Sequence, residues 1–240
     1  MHIGLMGGTF DPVHYGHLKP AAEVKARLEL DKLWLLPNHI PPHKAKATAS
    51  SEQRLAMLKL ACDEFPDMDI CDIELKRNAP SYSVATLEAL QQAFPGAEFQ
   101  FIMGTDSLLS LPSWHQWQRL FSLCNLVVCQ RPDWHLPKDA EIQTELAQRG
   151  CSVTQALAAR ACDDENGNGN GNGNGNGNGS DHDIENAQYG KIISLPVEPQ
   201  PFSSTAIRRA IAAGDINACR AAMPKAVLEY IVANRLYLGG

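Results

Sequence analysis

Two histidines, His14 and His17, stand three residues apart in the string Gly7-Gly8-Thr9-Phe10-Asp11-Pro12-Val13-His14-Tyr15-Gly16-His17. Two imidazoles facing one anion can donate hydrogen bonds to phosphate oxygens and stabilise charge that develops there during phosphoryl chemistry. Taken alone, the spacing also fits a loop with two exposed histidines, or a metal-binding pair. The flanks narrow the choice. Ile3 to Met6 is a short apolar run suited to a buried strand, Gly7-Gly8 lets a ligand approach the backbone, and Asp11-Pro12 signals a turn. From Gly16 a helical pattern runs through Leu18, Ala21, Ala22, Val24 and Leu28. Strand, glycine turn and helix start are how α/β proteins aim free N–H groups at an anion.

Further candidates follow along the chain. Lys44 ends Pro37-Asn38-His39-Ile40-Pro41-Pro42-His43-Lys44, where prolines exclude helix and stiffen the loop. It is either a surface lysine or a cation on a rigid base, suited to polyphosphate. Pro80-Ser81-Tyr82-Ser83 opens a helix through Val84, Leu87 and Leu90, and its free N–H donors can hold a carboxylate without an arginine. Gly104-Thr105-Asp106-Ser107 follows a strand; Asp106 fits either ribose hydroxyls or a helix cap. Trp114 and Trp117, behind a Ser113 cap, share a helix face and read as core, or as one ring free to stack on a flat heterocycle. Ser203-Ser204-Thr205 with Arg208 one turn on describes plain capping or a phosphate cradle.

The elements that must position these groups alternate. Strands are predicted at 3–6, 32–36, 68–75, 98–103, 125–130 and 191–196, with helices between them over 16–28, 50–65 and 83–90. Arg54, in the second helix, reads as a surface or packing residue or as one facing the site. Arg131-Pro132-Asp133 is a turn, residues 139–149 and 152–162 are mildly helical, and residues 203–238 form a C-terminal helical part. This order predicts an α/β fold, a doubly wound parallel sheet with the candidate groups gathered at the carboxyl ends of the strands. Seven Asn-Gly repeats, Asn166 to Gly179, offer nothing to bury, so residues 163–189 read as a disordered insertion in a single domain of 240 residues.

Composition sets the outer bounds. A net charge of −6 argues against nucleic acid as a partner. No apolar run reaches a membrane span, and seven scattered cysteines without a C-x-x-C suit free thiols in a reducing compartment, so the expected location is cytoplasmic. There is no G-x-x-x-x-G-K-[ST] loop, no nucleophile elbow and no metal-ligand set of protein side chains. The combination suits positioning a nucleoside triphosphate for attack by another phosphate, rather than hydrolysis or a covalent intermediate.

The string at 7–17 resembles the (T/H)xGH signature of the nucleotidylyltransferase superfamily. With the Pro-Pro-His-Lys loop, Glu74-Leu75-Lys76-Arg77, Pro80 to Ser83, Gly104 to Ser107, Trp114 and Ser203 to Arg208 in one order, the chain resembles the bacterial nicotinate mononucleotide adenylyltransferases over about residues 1–135 and 190–238. The resemblance implies a Rossmann-like fold that joins ATP and nicotinate mononucleotide into deamido-NAD and pyrophosphate, with Mg²⁺ carried by the triphosphate. It implies phosphate and transition-state roles for His14 and His17. Gly7, Gly8, Thr9 and Phe10 would meet ATP, Lys44 and Arg208 would hold its outer phosphates, and Ser204 and Thr205 would donate at a helix start. Gly104 and Asp106 would bind adenosine, Tyr82 and Ser83 would meet the pyridine carboxylate, and Trp114 would stack on the pyridine ring. Ser83 stands where the family commonly has Thr, Ala79 where it often has Gly, and Ala85 where it often has Asp. A monomer or weak homo-oligomer is expected. The rival expectations are a phosphopantetheine adenylyltransferase or cytidylyltransferase, and a nucleotide-binding regulator without catalysis.

Overall fold

Alternation of apolar side chains along each strand builds two cores, one on either face of a central sheet. Met6, Leu33, Leu35 and Ile102 pack toward one face, while Leu5, Trp34, Leu36, Phe99 and Phe101 pack toward the other. The computed structural model describes residues 1–39, 47–77, 79–130, 137, 140–166 and 189–238. The Pro-rich loop at 40–46 with Lys44, the turn at 131–133 and nearly all of the Asn-Gly tract lie outside them.

Strands β1 (His2–Gly8), β2 (Lys32–Pro37), β3 (Met68–Ile70), β4 (Glu98–Gly104), β5 (Asn125–Gln130), β6 (Gly150–Ser152) and β7 (Ile192–Pro196) form one sheet in the order β3-β2-β1-β4-β5-β7-β6. Every pairing is parallel. The expected Rossmann-like doubly wound sheet is what the chain adopts. Its chain reverses direction across the sheet between β1 and β4, which pair from His2 opposite Glu98 to Met6 opposite Ile102. Open α/β sheets bind ligands at such a switch point, outside the strand carboxyl ends.

Helices cover both faces. On one lie α1 (Tyr15–Arg27), α2 (Ser51–Glu64) and, after β7, α7 (Ser204–Ala212) and α9 (Lys225–Ala233), contributing Leu18, Met57, Ile207 and Val227 to one core. On the other, α3 (Ser83–Ala93) contributes Leu87 and Leu90. The remaining helices among the described residues are α4 (Thr105–Ser110), α5 (Gln143–Arg149), α6 (Val153–Asn166) and the short α8 (Ile216–Cys219).

Several expectations change. The strand expected over 68–75 stops at Ile70, and residues 73–76 form a turn that lowers Glu74 into the cleft wall. Ser113 does not cap a helix. It ends a 3-10 turn, Leu111–Ser113, and a second 3-10 segment begins only at Trp117. Gln116 lies between them in the left-handed region (φ 51°), so Trp114 and Trp117 share no helix face. Trp114 packs edge-on to Phe101 and Trp117 to Phe121. A short strand, β6, separates the two helical stretches after residue 139, and α6 runs to Asn166, four residues into the interval read as insertion.

Candidate active site

The loop after β1 is built around a few close approaches. A Cβ on Gly8 would meet the Phe10 ring at 3.0 Å, and one on Gly16 would meet the His14 ring at 2.7 Å and the Phe202 carbonyl at 3.1 Å. At Gly16 only hydrogen fits without a shift, and at Gly8 the Phe10 ring would have to give by a few tenths of an ångström. Phe10, with φ at 51°, turns its ring inward against His17 (centroids 5.2 Å apart), so this loop offers a ligand its backbone while the phenyl supports the imidazole. The rings of His14 and His17 lie 3.9 Å apart.

The two histidines are not equivalent. His17 lines the cleft, whereas His14 is only 4% exposed and lies behind it. Burial lowers the His14 pKa from 6.5 to about 4, because a charged imidazolium there would lose its water. Near neutral pH His14 is a neutral ring with one N–H to donate.

Around His17 opens a cleft of about 910 Å³. Gly7, Gly8, Thr9 and Phe10 form its floor at the end of β1, and Gly104 stands across from them at the end of β4. Ser204, Thr205 and Arg208 bring the start of α7 to one side, and Tyr82, Ser83 and Trp114 make the other. Asp106 sits exposed on the first turn of α4, outside this lining, where Ser107 faces the cleft instead. Lys44 lies outside the described residues. Among the described residues, no group of three or more His, Cys, Asp or Glu side chains could hold a metal ion.

Two helix N-termini open on the cleft. At α7, Ser203 caps the helix by accepting from the Ala206 N–H, and Ser204 donates its hydroxyl to the Pro12 carbonyl at 3.1 Å. Ser204 therefore pins α7 to the histidine loop. Arg208 donates to the Asp11 carbonyl at 2.6 Å and remains part-exposed toward the cleft. At α3, Tyr82 occupies the cap position without a side-chain cap bond, and its ring stacks near His115 (centroids 4.4 Å apart). The first N–H groups of α3 need partners from elsewhere, which suits an anion.

Several residues that shape the cleft stand in the quoted motifs or beside them but receive no role from the sequence. Arg54 is 1% exposed and donates to the Thr9 carbonyl at 2.8 Å and to Ser51 Oγ at 3.0 Å. Its signal was its position: Arg54, Met57, Leu58 and Ala61 are the buried stripe of α2, with arginine at the stripe's first place. Glu74, buried at the cleft wall, accepts from the Thr86 hydroxyl at 2.7 Å, and Arg77 donates to that same hydroxyl. Asp11, expected only as part of a turn, is 5% exposed and, among the described residues, accepts from four groups, counting its carbonyl.

A family model described as cytidylyltransferase-like matches residues 5–210. A protein of Shewanella woodyi named "Probable nicotinate-nucleotide adenylyltransferase" is 45% identical over 237 residues, covering 99% of this chain and 99% of its own. The chain belongs to the nicotinate-nucleotide adenylyltransferase family. A Shewanella pealeana relative of the same name is 44% identical over 239 residues, covering 100% of this chain and 97% of its own. The fold is shared with a Plasmodium falciparum nicotinic acid mononucleotide adenylyltransferase solved with NaAD, at a TM-score of 0.67 and 14% identity, over 98% of this chain and 97% of that one. The same protein solved with APC superposes with a TM-score of 0.66. Family membership makes this chain an enzyme, a nucleotidyltransferase of NAD biosynthesis, and decides against the regulator and the phosphopantetheine alternative. No helix among the described residues is long and apolar enough to cross a membrane.

Proposed function

We propose that this cleft transfers the adenylyl group of ATP to nicotinate mononucleotide, giving deamido-NAD and pyrophosphate. The observation that carries the reading is convergence: the histidine loop and the N-termini of α3 and α7 open on one cleft at the switch point of the sheet. One anion-favouring helix start serves the triphosphate and the other serves the acid of the pyridine ring.

In this reading the triphosphate lies across Gly7, Gly8 and Thr9, with Arg208, Thr205 and the first N–H groups of α7 on its outer phosphates and Lys44 as a second cation. Magnesium arrives as part of the substrate, on the triphosphate. Ribose meets the Gly104–Ser107 turn, where Ser107 faces the cleft and the exposed Asp106 beside it must swing inward to accept from the hydroxyls. The mononucleotide lies on the other side, its pyridine ring on the free face of Trp114 and its carboxylate at the N–H groups of Ser83 and the residues after it. Its phosphate attacks the α-phosphorus in line with the departing pyrophosphate. That phosphate is already ionised, so no side-chain base is needed, and catalysis is positioning plus charge stabilisation. His17 donates to the α-phosphate as negative charge builds on it. Neutral His14 supports His17 from behind and donates without bringing a full charge.

The test is pyrophosphate release from Mg-ATP with nicotinate mononucleotide, nicotinamide mononucleotide or phosphopantetheine as acceptor. Release chiefly with the nicotinate acceptor is expected. A preference for the amide would keep the chemistry and overturn the role given to the start of α3.

A further inference from the structure

Asp11 and Tyr237 are separated by nearly the whole chain, yet the Tyr237 hydroxyl donates to Asp11 Oδ1 at 2.7 Å. Both are buried, at 5% and 8% exposure. The tail reaches this place by an abrupt route. As α9 ends, Arg235 (φ 51°) closes the helix with the Leu236 N–H on the Ile231 carbonyl at 2.9 Å, and Tyr237 (φ 63°) turns left-handed again. The tail then turns back, and its phenol ends on the carboxylate of the histidine loop.

That carboxylate serves two other segments. Its oxygens accept the Thr48 N–H at 2.7 Å and the Ala49 N–H at 3.0 Å, on the far side of the segment that bears Lys44. On the near side, the Asn38 N–H donates to the Gly8 carbonyl at 3.0 Å and the Asn38 amide to Thr9 Oγ1. Finally, the Asp11 carbonyl accepts from Arg208, whose guanidinium also lies 4.0 Å from Asp11 Oδ2. Asp11 is thus where the histidine loop, the base of the 40–46 segment, α7 and the C-terminal tail are joined.

We propose that Asp11 and Tyr237 form a latch, in which the C-terminal tail fixes the parts of the cleft that grip the outer phosphates of ATP. Both are positioning residues, acting through Arg208 and the Thr48–Ala49 backbone. The assignment rests on the reading of this cleft as an ATP site. An acceptor-only group is required at position 11, because among the described residues the groups facing its carboxylate all donate. An amide there would turn an N–H toward the Thr48 N–H or the Ala49 N–H. The Tyr237 phenol is held protonated by burial and by the Asp11 carboxylate, which outweigh the nearby Arg208 and Arg54, so it remains a donor at any pH where the enzyme works. The latch bears on one substrate: none of its bonds reaches Trp114 or the start of α3.

The experiment is direct titration of the full chain with the magnesium complex of α,β-methylene-ATP and, separately, with nicotinate mononucleotide, in wild type, Tyr237→Phe and Asp11→Asn. Tyr237→Phe keeps the ring and its packing and removes one hydroxyl. We expect the ATP analogue to bind roughly fivefold to tenfold more weakly in Tyr237→Phe, the loss of about one hydrogen bond, and more weakly still in Asp11→Asn. Affinity for the mononucleotide is unchanged in Tyr237→Phe, and amide exchange at Thr48 and Ala49 quickens. Unchanged analogue affinity overturns the latch, even if the melting temperature falls. An equal loss for both ligands also overturns it, because the tail would then be supporting the fold as a whole. If wild type itself binds no ATP analogue, the functional reading fails and the latch fails with it; if it binds the analogue but prefers another acceptor, the latch is still tested.

Discussion

His14 and His17 belong to one motif, but burial divides their work. His17 faces the cleft, so in the proposed reaction its replacement removes the donor to the α-phosphate. For His17→Ala we expect turnover to fall about 10²–10³-fold with little change in the KM for either substrate, measured as pyrophosphate release. His14 leaves a second signature, in stability. Its folded pKa of about 4 lies below its ordinary 6.5, so in that interval the unfolded chain takes up a proton that the folded chain refuses. Its contribution is therefore full above pH 6.5 and is lost as pH falls toward 4, by about 3 kcal/mol in all. Urea midpoints at pH 7 and pH 5 check this: wild type should lose about 2 kcal/mol more than His14→Gln between them. Equal losses would mean that His14 charges freely when folded.

Among the elements, α3 and α7 are both placed by their first turns, through different means. Ser204 ties α7 to the Pro12 carbonyl. For α3 the tie is Thr86, which links Glu74 and Arg77 and also reaches the Tyr82 carbonyl at 3.2 Å. Thr86→Val keeps the volume and removes the hydroxyl, leaving Glu74 and Arg77 without their link. We expect about 1–3 kcal/mol of lost stability, and a severalfold rise in the KM for nicotinate mononucleotide with kcat and the KM for ATP nearly unchanged. Steady-state kinetics with each substrate varied in turn decides it. A rise in both KM values would separate Thr86 from the acid-binding end of the cleft.

For the whole molecule, the cleft joins both cores, since its walls draw on β1, β4, α3 and α7. A ligand there binds only the folded chain and must raise its stability. At a hundred times its dissociation constant, the magnesium complex of α,β-methylene-ATP should add about 2.7 kcal/mol, and a melting curve should rise by several degrees. The same ligand should raise the melting point of Tyr237→Phe less at equal concentration.

The sequence by itself determined the alternation of strands and helices, the doubly wound sheet and the place of the histidine turn. These depend on local signals: apolar runs of strand length, glycines where only hydrogen fits, and hydroxyl residues at helix starts. It also marked Tyr82, Ser83, Trp114, Ser204, Thr205 and Arg208, all of which the fold brings to one cleft. What it named without placing has a common cause. Glu74 faces the cleft only because β3 stops at Ile70. Trp114 and Trp117 part company only because Gln116 turns left-handed. Asp11 is buried because distant N–H groups and a tail phenol satisfy it, and the outer guanidinium nitrogens of Arg54 donate to the distant Thr9 carbonyl and to Ser51. A buried charge is tolerated only where partners wait for it, and partners remote in sequence are assembled by tertiary folding alone.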